Sequence, residues 1–235
     1  MMGLFSKKKI KTRSYFVTGT DTGVGKTLVC SALLEAVKQA NLSCVAVKPV
    51  AAGCEQTELG LRNDDALALQ RHMSLELEYD QVNPVALQPA IAPHIAAAQA
   101  EVSIVAEELS EHCRTVANGV DFMLIEGAGG WRVPINQHQY LADVAKLMEI
   151  PVIMVVALRL GCINHALLTA EAIRADGLQL AGWVGNSTEP DNMPAMGDNL
   201  LALRDRLEAP FLGFLPYFDN ADPVQIAPYL EISYL

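Results

Sequence analysis

Cationic side chains are scarce in most of this sequence. The chain has 235 residues, with 17 lysines and arginines against 27 aspartates and glutamates, so its formal net charge is −10. Five of the cations fall within the first 13 residues: Lys7, Lys8, Lys9, Lys11 and Arg13. The rest of the chain has 12 cations and a charge of −15. Such a charge argues against nucleic acid or an anionic membrane as a partner. Any bound phosphate must therefore be held by a few placed groups.

Cysteine pairs and long apolar runs are also missing. The five cysteines are an odd number and no two have CxxC spacing, which argues against a disulfide framework and a zinc ribbon. Free thiols are typical of a reducing compartment. The longest clean apolar run, residues 152–158, is far shorter than the roughly 20 residues that span a bilayer. We therefore expect a cytoplasmic protein.

The amino-terminal residues differ from the rest of the chain. Residues 1–14, MMGLFSKKKIKTRS, place their charges after a short apolar piece and lack the apolar region and cleavage site of a secretory signal. We expect them to form a flexible basic tail. The chain as a whole is 51% hydrophobic and 19% charged, a globular composition. The length of the chain predicts one domain, over residues 15–235.

Apolar segments predict an α/β fold. Six nearly continuous apolar runs are typical of strands that are covered on both faces. They span residues 15–18, 44–47, 122–125, 152–157, 180–184 and 211–215. Segments with helical spacing lie between them, at residues 26–40, 65–70, 104–116, 141–148, 164–175 and 196–207. This alternation predicts a single, mostly parallel sheet with helices on both faces. Residues 49–120 form a segment longer than one crossover connection between strands needs, and we expect it to pack over one end of the sheet.

The strongest motif follows the first predicted strand. The segment TGTDTGVGKT, residues 18–27, joins that strand to a helix. Glycines at such a junction let successive N–H groups face an anion, and the helix N-terminus adds partial positive charge. Lys26 can then reach the terminal phosphates and the Thr27 hydroxyl can bind magnesium. Thr20 stands where the strict GxxxxGK[ST] pattern has its first glycine, but the strand-to-helix context favours phosphate binding over a plain turn.

Carboxylates and a second lysine accompany this loop. Glu126 ends the predicted strand 122–125 and precedes the run GAGG, so it is placed like a Walker-B acid at the carboxyl edge of the sheet. Asp64 and Asp65 begin a predicted helix, where one of them could be an N-cap and the other a magnesium ligand. Lys48 closes the second strand at the same edge, where it can neutralise a transferring phosphoryl group.

Together these residues resemble the dethiobiotin synthetase family of P-loop NTPases. The resemblance covers nearly all of the chain after residue 14. It rests on YFVTGTDTGVGKT (15–27), VKPVAAG (47–53), GLRNDDALALQ (60–70), NPVALQPAIAPHIAA (83–97), IEGAGGW (125–131), LGCINHALLTAEAI (160–173) and LAGWVGN (180–186). It implies a homodimeric, ATP- and magnesium-dependent ligase of biotin biosynthesis. The family's substrates are 7,8-diaminopelargonic acid and carbon dioxide; an amine carbamate is phosphorylated and the second amine closes the ring to dethiobiotin.

The resemblance also assigns roles to residues of this chain. The phosphate cradle would comprise Gly23, Val24, Gly25, Lys26, Thr27 and Leu28, with Gly127, Ala128 and Gly129 opposite. Magnesium would be held by Thr27, Asp65 and Glu126, and Lys26 and Lys48 would be catalytic. Asn186 would contact adenine, beside the looser match of Pro216, Tyr217 and Phe218. The remaining substrate-binding positions would be Lys48, Ala52, Gly161, Cys162 and Asn164, with Cys162 acting through its backbone N–H.

Departures from the family pattern keep other functions open. Ala52 stands where the family usually has a Ser or Thr hydroxyl, so a degenerate paralogue that only binds ATP is one alternative. A deviant-Walker switch ATPase is another, although such proteins carry a signature lysine where this chain has Asp21. A cobyrinate-type amidotransferring ligase would need a glutaminase domain, for which the chain has no room after its six strands.

Overall fold

A six-stranded parallel sheet forms the centre of the computed structural model, which describes residues 12–191 and 193–235. The strand order is β10-β9-β8-β1-β7-β2, and all five neighbouring pairs are parallel. These strands are β1 (Arg13–Gly19), β2 (Cys44–Val47), β7 (Phe122–Glu126), β8 (Val152–Ala157), β9 (Leu180–Asn186) and β10 (Phe211–Leu215). All six predicted strands are present. Nearly continuous apolar runs are typical of strands in a parallel sheet, because both faces of such a sheet are covered.

Helices connect these strands and cover the sheet. They are α1 (Lys26–Gln39), α2 (Asp64–His72), α3 (Tyr79–Val82), α4 (Pro93–Gln99), α5 (Ala106–Val116), α6 (Asp143–Met148), α7 (Cys162–Ala175), α8 (Met196–Arg206) and α9 (Pro223–Ile226), followed by a 3₁₀ turn, Ala227–Tyr229. The α/β class predicted from the sequence is confirmed. The predicted start of α7 was two residues late and that of α5 two residues early.

Four short strands lie in the long connection between β2 and β7. They are β3 (Val50–Ala52), β4 (Glu55–Thr57), β5 (Gly60–Arg62) and β6 (Val85–Leu87). β3 pairs with β6 in parallel, and β4 pairs with β5 as a hairpin. Of these elements, Ala52 of β3 and Pro93 at the start of α4 line the cavity described below.

The first strand begins two residues before its predicted start at residue 15. Residues 1–11 of the predicted basic tail lie outside the described residues, and β1 already begins at Arg13. Arg13 pairs with Phe122 of β7, and its guanidinium donates to the Leu235 carbonyl oxygen at 2.9 Å. Within the part of the chain that the structure describes, no helix is long and apolar enough to cross a membrane.

Candidate active site

The phosphate loop occupies the turn between β1 and α1. Gly23 and Gly25 have φ angles of 71° and 90°, a left-handed conformation that favours glycine. Gly25 precedes the first residue of α1, so the positive end of the helix dipole faces the loop. A Cβ atom on Gly25 would stand 2.2 Å from Asn186 Nδ2. This position therefore admits only glycine without rearrangement.

Lys26 places its ammonium group at the mouth of this loop. Its Nζ donates to the carbonyl oxygen of Gly129 at 2.8 Å and lies 3.4 Å from that of Asp21. The side chain is largely buried, and burial lowers the pKa of Lys26 below its usual value although the nearby Glu126 charge acts in the opposite direction. A partly desolvated cation with only carbonyl acceptors is well suited to bind an anion.

Lys48 lies between two carboxylates in the floor of the site. Its Nζ is 2.7 Å from Glu126 Oε1 and 2.9 Å from Asp65 Oδ2. Burial alone would lower the pKa of Lys48, but the charges of Glu126 and Asp65 raise it well above the usual lysine value. Lys48 is therefore a permanent cation rather than a proton acceptor.

Glu126 connects this ion pair to the phosphate loop. Its Oε1 also accepts a hydrogen bond from Thr27 Oγ1 at 2.9 Å, and the whole side chain is inaccessible to solvent. Its Oε2 is buried with no hydrogen-bond partner of good geometry among the described residues, although the buried Cys30 thiol lies nearby. An unpaired carboxylate oxygen beside a hydroxyl is an incomplete arrangement that a cation would complete.

The structure separates the two adjacent aspartates of α2. The N-cap is Asn63, whose Oδ1 accepts from the Ala66 N–H at 3.3 Å, so neither aspartate has the capping role considered from the sequence. Asp65 faces Lys48 and Thr27, and burial would raise its pKa, but the Lys48 charge lowers it below the usual value. Asp64 is exposed. Because of the helical periodicity, only Asp65 of the two faces the site.

The glycine-rich segment after β7 packs against the phosphate loop. A Cβ on Gly129, whose φ is 58°, would lie 3.4 Å from Thr22 Oγ1 and 3.2 Å from Val133 Cγ2. The Gly129 carbonyl is also the acceptor of Lys26. A Cβ on Gly19 would lie 3.1 Å from the Gly129 carbonyl oxygen. The two loops therefore approach backbone to backbone, as the glycines of both segments permit.

These groups surround one cavity of about 810 Å³. The phosphate loop, Lys48, Asp65 and the segment after Glu126 form one side, and Ala52 with residues 90–93 forms another. Ala52 presents no hydroxyl to this space. A second cavity, of about 750 Å³, lies at the opposite edge of the sheet around Arg13 and Pro151 and contains none of the predicted site residues.

The predicted adenine contacts lie beside the phosphate loop but outside this cavity's lining. Asn186 ends β9 and is buried. Its Nδ2 donates to the Val24 carbonyl oxygen at 2.9 Å, so one of its amide donors already supports the loop. Pro216–Phe218 directly follow β10, and the Ser187 N–H donates to the Leu215 carbonyl oxygen at 2.9 Å. The two segments are therefore neighbours at the carboxyl edge.

The predicted substrate turn at residues 161–164 is not brought into the same cavity. Gly161, with φ of 95°, precedes α7 as expected. The Cys162 N–H, however, donates to the Arg159 carbonyl oxygen at 3.0 Å, so it is already engaged, contrary to its predicted role as a donor to substrate. The Cys162 thiol is buried, and burial raises its pKa, which makes it a poor nucleophile.

Two arginines form ion pairs at the site, and sequence reasoning identified neither pair. Arg132 lies in the cavity wall, and its guanidinium binds the Asp176 carboxylate. Arg159 forms an ion pair with Asp21 of the phosphate loop. Both pairs join segments that are distant in sequence, so no local pattern could have identified them. The position of Arg132 directly after the GAGGW run was the only available signal.

Comparison with known proteins gives a consistent family and fold. The family model described as an AAA domain (AAA_26) matches residues 13–225. The chain is 52% identical to ATP-dependent dethiobiotin synthetase BioD of Cellvibrio japonicus, covering 94% of this chain and 96% of that protein. The corresponding protein of Marinobacter nauticus is also 52% identical, with the same coverage. A ParA family ATPase from Chlorobium tepidum superposes with a TM-score of 0.55 at 12% identity, over 92% of this chain and 93% of that chain. This last likeness concerns the fold alone.

Proposed function

The chain belongs to the dethiobiotin synthetase family, and from this premise we propose that it converts 7,8-diaminopelargonic acid and carbon dioxide to dethiobiotin at the expense of ATP. The observation that carries the proposal is the placement of Lys48 between Glu126 and Asp65, next to the phosphate loop. The cavity contains two lysine cations, which suit a triphosphate and an anionic acceptor, and two carboxylates, which suit a divalent metal ion.

Magnesium is the cation that these residues fit. Thr27, Asp65 and Glu126 offer a hydroxyl and two carboxylates, and the Oε2 of Glu126 lacks a partner. No cluster of three His, Cys, Asp or Glu side chains that could hold a metal occurs in the described ranges 12–191 and 193–235. Mg²⁺ typically takes one or two carboxylates together with water and substrate phosphates, so this donor set is sufficient. When bound, the ion would neutralise phosphate charge.

Lys26 and Lys48 would act by electrostatic stabilisation. Phosphoryl transfer needs positioned charge more than covalent chemistry. Lys26, held only by carbonyl oxygens, can turn to the phosphates without breaking an ion pair. Lys48 keeps its proton because of its two carboxylate neighbours, and we assign it to the charge of the carbamate and of the transferring phosphoryl group.

The reaction needs no nucleophile from the protein. One substrate amine binds carbon dioxide as a carbamate, whose oxygen attacks the terminal phosphorus of ATP and releases ADP. The second amine then attacks the carbamoyl carbon, and phosphate leaves as the urea ring closes. The buried Cys162 thiol agrees with this scheme. We assign the remote carboxylate of the substrate to the turn of Gly161 and Asn164 at the amino-terminal end of α7, without the Cys162 N–H, which is bonded to the Arg159 carbonyl oxygen.

The homodimer is a part of this proposal that rests on the family resemblance. Within one chain, the turn at residues 161–164 does not line the catalytic cavity, and the neighbouring Leu160 side chain is 94% exposed. A second copy that covers this turn would bury Leu160 and could bring the turn to a cavity. We further propose a cytoplasmic location, supported by five free cysteines.

Adenine binding completes the proposed site. Asn186 supports the loop through one donor of its amide and retains its carbonyl oxygen and a second N–H hydrogen for a purine edge. Pro216, Tyr217 and Phe218 lie alongside it, and Phe218 is held edge-on against Tyr229 with ring centroids 5.7 Å apart. We propose these residues as the walls of an adenine subsite.

The alternatives are less well supported. The position of the switch ATPases' signature lysine is Asp21, which here pairs with Arg159, so the loop carries an anion where that class needs a cation. A degenerate paralogue would bind ATP without forming dethiobiotin, so a measurement of product formation distinguishes it. Ala52 lacks one hydrogen-bonding hydroxyl, but it removes none of the charged residues of the site.

The decisive experiment measures ADP release with ATP, magnesium and bicarbonate, in the presence and absence of 7,8-diaminopelargonic acid, with identification of the product by mass. We expect diamine-dependent ADP release with dethiobiotin as the product, and loss of both in Lys26→Ala. Lys38→Gln, in the last turn of α1 and outside the cavity lining, is the matched control and should retain activity. Diamine-independent hydrolysis would contradict the proposal and favour a switch ATPase, whereas nucleotide binding without turnover would favour the degenerate paralogue.

A further inference from the structure

Asp176 forms a three-bond clamp at the end of α7. It is the C-cap residue of that helix, and its Oδ2 accepts from Trp131 Nε1 at 2.8 Å. The guanidinium of Arg132 binds both carboxylate oxygens, with Nη2 3.1 Å from Oδ1. Burial would raise the pKa of Asp176, but the hydrogen bonds from Arg132 and Trp131 hold it below its usual value. One carboxylate therefore restrains two consecutive residues.

These two residues directly follow the glycine-rich segment of the active site. Gly127, Ala128, Gly129 and Gly130 lie between Glu126 and Trp131. The beginning of this segment is held by Glu126, which is bonded to Lys48 and Thr27. Glycines impose little conformational restriction themselves, so the segment depends on what restrains its two ends.

Trp131 transmits the restraint into the core. The residue is only 3% exposed, and its ring meets Phe16 of β1 edge-on, with centroids 5.8 Å apart and an interplanar angle of 87°. Its indole N–H is a donor that needs a partner when buried, and Asp176 supplies it. The indole is thereby held in one orientation, two residues after the Gly129 carbonyl that accepts from Lys26.

Arg132 links the same carboxylate to the cavity. It lies in the cavity wall, and its guanidinium carbon stands 5.6 Å from the centroid of the Tyr140 ring. The bidentate pair with Asp176 fixes the planar guanidinium in one orientation. Without that carboxylate, an uncompensated and mobile cation would stand at the edge of the phosphate site.

We propose that Asp176 is a positioning residue for nucleotide binding: by bonding Trp131 and Arg132, it holds the segment Gly127–Gly130 against the phosphate loop. The inference rests on the proposed ATP-dependent function. Asp176 does not touch the nucleotide, so its loss should weaken the affinity for nucleotide more than the rate of the chemical steps. The affinity for the diamine should change little.

The test uses Asp176→Ala in the full-length chain. We expect the dissociation constant of Mg·ADP, measured by calorimetry, and the KM for ATP each to rise about tenfold, as for loss of charge-assisted hydrogen bonds. The kcat and the KM for the diamine should stay within about threefold. Asp176→Asn keeps an acceptor for Trp131 and should give a smaller effect. The effects of Asp176→Ala and Trp131→Phe on Mg·ADP affinity should be less than additive in the double variant, because both changes remove the same bond.

Glu208→Gln is the matched control. It breaks another ion pair of α7, between Arg174 and Glu208 at 3.7 Å, and should leave nucleotide affinity unchanged. Mg·ADP affinity within twofold of wild type in Asp176→Ala would overturn the inference. An Asp176→Ala variant that yields less folded protein but keeps the wild-type KM for ATP would also overturn it. If Asp176→Ala does not fold, Asp176→Asn and Trp131→Phe decide by the same readouts.

The failure of the proposed function would be seen separately. If the wild-type chain binds Mg·ADP but forms no dethiobiotin, the ligase proposal is wrong, while the calorimetric comparison still decides the role of Asp176. If the chain makes dethiobiotin and Asp176→Ala binds Mg·ADP normally, only the positioning role is wrong.

Discussion

Lys48 Nζ lies 2.7 Å from Glu126 Oε1, and both side chains are almost inaccessible to solvent. The pair joins the end of β2 to the end of β7, neighbouring strands of the sheet. A buried charge is tolerated only when it is paired and hydrogen-bonded. Each of these two residues therefore has a structural role in addition to the catalytic or metal-binding role proposed for it.

Removal of Lys48 should abolish turnover and destabilise the fold. Lys48→Ala leaves Glu126 buried without its cation, a change that costs about 3–5 kcal/mol in comparable cases. Chemical denaturation of the variant measures this loss. Adding Glu126→Gln should recover part of the stability but none of the activity, because the missing cation is not restored. Dethiobiotin formation near the wild-type rate in Lys48→Ala would contradict the assignment.

Glu126→Gln should mainly change the magnesium dependence. The amide keeps the size of the side chain but removes its charge, so we expect the magnesium concentration for half-maximal activity to rise by about tenfold or more. Asp65→Asn should shift the titration in the same direction. Asp64→Asn, on the exposed side of the same helix turn, should leave it unchanged. A magnesium titration identical to wild type would remove Glu126 from the metal site.

Two glycines of the phosphate loop should differ in their tolerance of alanine. Both have positive φ angles, but a Cβ on Gly25 would meet Asn186 Nδ2 at 2.2 Å, whereas one on Gly23 has no atom within 4 Å. Gly25→Ala should break the Asn186–Val24 hydrogen bond and reduce Mg·ADP affinity by at least tenfold. Gly23→Ala should carry only the cost of backbone strain, about 1 kcal/mol. Equal affinities in the two variants would refute this steric explanation.

Cys162→Ala should retain dethiobiotin formation within about threefold. The thiol is buried, its pKa is raised by burial, and the proposed reaction uses no protein nucleophile. Steady-state kinetics with the diamine as the varied substrate is the measurement. A loss of kcat by two orders of magnitude or more would mean that the sulfur atom has a chemical role.

Asp176 should make the free energy of unfolding depend on pH in the acidic range. Its pKa is lower in the folded protein than the ordinary value of 3.8, so its stabilising contribution is complete above that value and is lost as pH falls through the folded-state pKa. The difference in unfolding free energy between wild type and Asp176→Asn should be constant from about pH 5 to 7 and shrink below about pH 4. A difference that grows on acidification would reverse the assigned sign.

Local patterns were sufficient to predict the strands of the sheet and to place Lys26, Lys48 and Glu126 at its carboxyl edge. Each strand of the central sheet contains an apolar run, and the GVGKT and EGAGG segments follow two of these runs. A parallel sheet is covered on both faces and binds ligands at its carboxyl edge. The sequence itself therefore determined the class of fold, the phosphate loop, and the candidate roles of Lys26, Lys48 and Glu126.

Only the tertiary structure decided how these residues are paired. It assigned the helix cap to Asn63 and the ion pair to Asp65, engaged the Cys162 N–H with Arg159, and joined Asp176 to Trp131 and Arg132. None of these partners could be identified from spacing along the chain. Strand order and loop packing bring them within hydrogen-bonding distance, and interactions of this kind depend on separation in space, whereas hydrophobic periodicity is a property of neighbouring residues in sequence.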